Sequence, residues 1–100
     1  IPTVARNGTK YDSQRMWRGP TWINVNYILI EALARSGRPK LAQELRDRTL
    51  ALLMKHKDMY EFYNPATGEP GPTAAPAFGW SAALFIDLAI RASTREVIRP

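Results

Sequence analysis

The chain has 100 residues, 45% apolar and 23% charged, with a net charge of +5 and a pI near 10.0. That size and balance describe one small globular unit or part of a larger one, and exclude a disordered chain. With no cysteine and a single histidine, His56, disulfides and Cys- or His-based metal centres are excluded, and no apolar run reaches the roughly 18 residues of a membrane span.

Residues 1–19 carry no sustained period and read as loop or short extended structure. No signal-peptide pattern opens them, and a cytoplasmic location is the expectation. Within and just beyond this segment lies "MWRGPTWINVNY", Met16 to Tyr27, with two tryptophans, an arginine, a Gly-Pro step and two asparagines. A core needs apolar residues; it does not need Arg beside Trp or a pair of Asn. Such hydrogen-bonding and stacking capacity belongs to a surface that meets a ligand.

A first helix is predicted from Thr21 to Ser36, with Pro20 in its first turn and Gly37 and Pro39 as stop signals. Its apolar residues cover nearly the whole circumference, so it should be buried on more than one side. The second, Pro39 to Lys57, is amphipathic. Leu41, Ala42, Leu45, Thr49, Leu52, Leu53 and His56 form one stripe, and His56 reads as a partly buried packing residue rather than a ligand. The opposite face mixes Arg38, Lys40, Arg46, Arg48 and Lys55 with Glu44 and Asp47, and Glu44 and Arg48 are spaced to pair at i,i+4. Mixed signs mark a solvated face, so the basic pI does not indicate nucleic acid.

From Lys57 to Trp80 runs "KDMYEFYNPATGEPGPTAAPAFGW", whose four prolines and three glycines forbid helix through most of its length. It is far longer than a usual connection of about 2–8 residues, which points to a functional loop. Asn64-Pro65-Ala66-Thr67-Gly68 reads as a defined turn. A third helix, Trp80 to Ala92, is apolar apart from Ser81 and Asp87.

Buried, amphipathic, buried: three helices alone cannot cover two of their number on all sides. An inner–outer–inner piece of an α/α toroid resolves this, making residues 1–100 a single partial domain. A self-contained or dimeric three-helix bundle is the alternative. Exposed inner-helix faces would then favour self-association. Because the first two helices are similar in length, the chain returns to where it started. One rim should collect Trp17, Arg18, Trp22, Tyr60, Glu61, Phe62, Tyr63 and Trp80. Aromatic faces with an arginine and a carboxylate suit a sugar, which offers C–H faces and hydroxyls. Glu61, flanked by Tyr60 and Phe62, is the candidate for chemistry; a loop carboxylate that bonds backbone amides is the alternative. Asp58 and Glu69 read as loop surface. No metal or other cofactor is implied.

"PTVA", "MWRGPTWINVNY", "YEFYNPATGE" and "FGWSAAL" together resemble the C-terminal end of glycoside hydrolase family 63, over about Pro2 to Ala92. The resemblance implies an (α/α)6 barrel and inverting hydrolysis of an α-glycosidic bond. It places the general base at Glu61 and the general acid at an Asp far upstream, outside this chain. Trp17 becomes a sugar-binding wall, Gly19 lets a hydroxyl approach the backbone, and Arg18, Trp22, Asn24 and Asn26 shape the tract, with side-chain hydrogen bonds that hold the loop as the alternative role for Asn26. Tyr63 and Trp80, placed on the rim by topology rather than by the resemblance, complete the substrate-binding set. Met16 stands where the family often has Tyr, and "GPTAAPA" departs from relatives. Non-catalytic carbohydrate binding, or a structural, oligomer-forming helical module, remain alternatives to an enzyme.

Overall fold

The computed structural model describes residues 1–15 and 17–93. Within them lie three α-helices, α1 (Ile23–Arg35), α2 (Pro39–Met54) and α3 (Gly79–Ser93), and the only β pairing is in isolated bridges. The fold is all-α, as the sequence periods indicate. Met16 and residues 94–100 lie outside the description, and with Met16 the departure from the family's Tyr.

α1 starts two residues later than expected, and the reason is local. Thr21 donates its N–H to the Tyr63 carbonyl at 2.7 Å and accepts from the Tyr63 N–H at 2.9 Å. A residue committed to an extended pair cannot enter a helix, so Pro20 stands before α1 rather than in its first turn. The other end matches the punctuation. Gly37 adopts φ +80, its N–H bonds the Ala34 carbonyl and the Arg38 N–H bonds the Leu33 carbonyl, which is the Schellman arrangement.

α2 opens with Pro39 in its first turn, where the missing N–H costs nothing. Glu44 and Arg48 pair at 2.9 Å, as their spacing predicts. Two residues of the expected faces change places. Leu41 is 48% exposed, whereas Arg46, counted with the charged face, is only 7% exposed. The buried line is Ala42, Thr49 and Leu53. Arg46 falls on it at i+4 from Ala42, and Leu41 lies about 100° away. α2 ends at Met54 because the next side chains turn to the loop. Lys55 Nζ donates to the Thr67 carbonyl at 2.9 Å, and His56 Nε2 meets the Gly68 carbonyl at 2.6 Å. The His56 ring also lies 5.7 Å from that of Tyr63, so it packs where the stripe put it.

α1 packs chiefly on α2, through Ile30, Ala34 and Ala42, with Leu88 of α3 completing the cluster. The two helices expected to be inner each keep an apolar side uncovered in this chain: Ile28 is 64% exposed on α1, and Ile86 and Ile90 are 58% and 57% exposed on α3. Beside these faces runs a polar link between the helices. The Tyr27 hydroxyl donates to Asp87 at 2.6 Å, Arg91 pairs with Asp87 at 3.1 Å, and Arg91 reaches Glu31 at 3.4 Å.

That link gives stability an alkaline limit. The bond to Asp87 holds the Tyr27 hydroxyl proton, raising its pKa above 10.0, and burial does the same at Tyr63. Both groups bind the proton more tightly folded than unfolded. Their contribution is therefore complete below about pH 10 and is lost as pH rises through the raised values. Urea midpoints measured from pH 8 to 11 should fall at the upper end, and Tyr27→Phe should flatten part of that fall.

Candidate functional site

Two loops meet at the start of α1, tied by single backbone pairs rather than by a sheet. Pro2 bridges Thr21, Thr21 bridges Tyr63 and Tyr63 bridges Pro70. A second seam runs alongside: the Glu61 N–H donates to the Ala75 carbonyl at 2.9 Å, and the Phe78 N–H to the Met59 carbonyl at 2.8 Å. The turn at Asn64 forms as its sequence indicates, with Oδ1 accepting from the Ala66 and Thr67 amides and Gly68 at φ +75. The long loop is thus pinned on both sides of Glu61.

The expected aromatic gathering is present, sorted into a buried layer and an outer one. Trp22, 2% exposed, is at the centre: its ring lies 3.8 Å from Trp17 in a parallel stack, 5.5 Å from Phe62, 6.2 Å from Phe78 and 6.4 Å from Trp80. Trp17 and Trp80 form the outer layer, each about half exposed. Phe78, which the sequence did not single out, packs edge-on to both Trp22 and Trp80, 5.5 Å from the latter. Its signal was present in "AFGW", an aromatic just ahead of the third helix. A groove of about 540 Å³ opens beside Trp17, lined also by Gln14, Arg15, Arg18 and Thr73, a size that suits a small ligand.

The other candidates take different places. Tyr63 is fully buried; it packs with Ile23 and Leu53, and its hydroxyl accepts from the Tyr60 N–H at 3.0 Å. It holds the loop from inside, and no part of it reaches a ligand on this chain. Arg18 lines the groove, but its Nε donates to the Lys10 carbonyl at 3.1 Å, and it forms no ion pair with Glu61. Asn26 is buried and bonds Thr49 at 3.1 Å, which ties α1 to α2. Asn24 is half-buried.

Gly19 is buried, and its N–H donates to Thr3 Oγ1 at 3.0 Å while its carbonyl accepts from the Thr3 N–H at 3.2 Å. A Cβ there would stand 2.4 Å from the Asp12 carbonyl oxygen and 2.9 Å from the Tyr11 ring. The glycine is required by packing of the loop that presents Trp17. Gly19→Ala should therefore cost about 1–3 kcal/mol by overpacking, read as a lower urea midpoint with altered near-ultraviolet dichroism of the tryptophans.

Glu61 is half-buried between Tyr60 and Phe62. Among the described residues its carboxylate has no hydrogen bond or ion pair. The capping work that loop carboxylates often do is carried out by others, Asp58 and Asn64. No group of three or more His, Cys, Asp or Glu able to hold a metal occurs among the described residues, and no described helix is long and apolar enough to cross a membrane.

The model of the mannosylglycerate hydrolase MGH1-like glycoside hydrolase domain matches residues 1–81. The chain belongs to this glycoside hydrolase family. It is 34% identical over 90 residues to a mannosylglycerate hydrolase of Rubrobacter radiotolerans, covering 90% of this chain and 20% of that protein. A mannosylglycerate hydrolase of Thermus thermophilus is 38% identical over 86 residues, covering 86% and 20%. The crystal structure of a GH63 mannosylglycerate hydrolase from Thermus thermophilus in complex with Tris and D-glycerate superposes with a TM-score of 0.77 at 36% identity, covering 87% of this chain and 21% of that one. The chain thus spans about a fifth of the length of the relatives it matches, and its three helices correspond to a piece of a larger helical domain.

Proposed function

We propose that this chain supplies the general base and the sugar-stacking rim of an inverting α-glycosidase with an (α/α)6 barrel. The observation that carries the reading is the placement of Glu61. It immediately precedes Phe62, which packs on Trp22, on a segment bonded at both flanks, with its carboxylate left out of the loop's own hydrogen bonding. In the reaction the Glu61 carboxylate takes a proton from water as that water attacks the anomeric carbon. A second carboxyl, outside these 100 residues, gives its proton to the departing oxygen. The two stand roughly 6.5–9.5 Å apart in an inverting pair, with the water between. Trp17 and Trp80 offer the exposed faces against which sugar C–H groups stack, while Arg18 and Gln14 border the groove with donors. The mannosylglycerate and glucosylglycerate named for its relatives are the first substrates to try.

The test is Glu61→Gln in a protein that carries both carboxyls. Loss of hydrolysis with sugar affinity retained supports the base; a variant that still turns over removes it. A parent that binds sugar and never hydrolyses it, with or without Glu61, is a binding module instead. The uncovered apolar faces at Ile28, Ile86 and Ile90 further lead us to propose that the 100-residue chain by itself associates.

A further inference from the structure

Asp58 reads from sequence as loop surface, yet it stands half-buried at the closed end of the seam that holds Glu61. One oxygen, Oδ1, accepts from the Met59 N–H at 2.7 Å and from the Ala77 N–H, nineteen residues away, at 3.0 Å. Ala77 has φ +52, the one left-handed non-glycine among the described residues. That conformation brings Cβ against the backbone and is held only where something outside the residue fixes it. The fixing group here is the Asp58 carboxylate, a charged acceptor that bonds amides more strongly than a neutral one.

The bonds that follow place Glu61. Immediately after Ala77, the Phe78 N–H meets the Met59 carbonyl; two residues before it, the Ala75 carbonyl receives the Glu61 N–H. Ser81 Oγ, in the first turn of α3, donates to the Tyr60 carbonyl at 2.7 Å. Segments 59–61 and 75–78 therefore run side by side, with Asp58 as their clasp and Trp80 just beyond. We propose that Asp58 is a positioning residue: by holding the Ala77 turn it sets where Glu61 stands relative to the Trp80 face. The catalytic consequence rests on Glu61 as the base; the structural coupling does not.

Amide hydrogen exchange on the 100-residue chain tests the coupling. Asp58→Ala should speed exchange at Glu61 and Phe78 at least tenfold, while the Thr21 and Tyr63 amides, held by their own pair, change little. Asp58→Asn keeps an oxygen acceptor and should recover most of the protection. Adding Ala77→Gly to Asp58→Ala should recover part, because glycine keeps the left-handed form without an anchor. Equal loss at all four amides, no loss at any, or an Asn variant no better than Ala would overturn the proposal. In a protein carrying both carboxyls, Asp58→Ala should lower kcat with KM held, and Asn should restore it; unchanged kcat in a variant with a loosened Glu61 amide would sink the positioning role. If Glu61→Gln proves active, the base assignment falls while the exchange result stands by itself.

Discussion

Glu61→Gln is expected to lower kcat by roughly 10²–10⁴-fold, the usual contribution of a positioned general base, in a protein that also carries the general acid. The substitution keeps the volume and planarity of the side chain, so little else should change. The bond from the residue 61 N–H to the Ala75 carbonyl is a backbone bond and survives it. No described hydrogen bond or ion pair uses the carboxylate, so none is broken. What disappears is the ability to accept the proton that water gives up on attack. Sugar affinity, which the proposal assigns to Trp17 and Trp80, should stay within a few-fold. Released sugar from α-linked glycosides of glycerate gives the rate, and tryptophan fluorescence gives the affinity. A rate within tenfold of the parent's would take Glu61 out of the mechanism.

The contrast between Glu61 and its neighbours shows which parts of the molecule could be read from sequence. The helices were legible because each carries its own evidence: a 3.6-residue period, Gly37 as a C-terminal stop and Pro39 as a start. The gathering of Trp17, Trp22, Phe62 and Trp80 was legible too, since two helices of similar length bring the chain back to its starting end. The bridges that tie Thr21 to Pro2 and Tyr63 were not. A single extended pair leaves no alternation to detect, and only the tertiary return of the loop creates it. Asp58 was missed for the same reason: its partner Ala77 lies in "GPTAAPA", which announces nothing until it is folded against Met59. Nor does composition tell a buried tyrosine from an exposed one. Tyr63 looked like rim because its neighbours are rim, yet the Thr21 pair turns it inward among Ile23 and Leu53. Residue type suggests the chemistry proposed for the site; which ring faces water was decided by long-range backbone bonds.

Trp17 and Trp22 make that last point testable, since they are alike in chemistry and opposite in placement. Trp22→Ala should cost about 3–5 kcal/mol, the range for removing a large buried aromatic. Four rings pack around the indole, and a cavity there cannot collapse without moving both loops. Against a typical total of about 5–15 kcal/mol for a domain, that loss is enough to leave a marginal chain substantially unfolded. Trp17→Ala removes a half-exposed ring that contributes one stacked face. Its stability cost should be about 0.5–1.5 kcal/mol, the worth of an aromatic pair beyond area, but sugar binding should weaken sharply because the outward face goes with it. Trp22→Phe, which retains a smaller ring under Trp17, should fall between the two in stability and keep measurable affinity. Urea midpoints and a sugar titration on the three variants separate the roles. Equal stability losses for Trp17→Ala and Trp22→Ala, or sugar affinity indifferent to Trp17, would mean that the layering of these rings is not what builds the site.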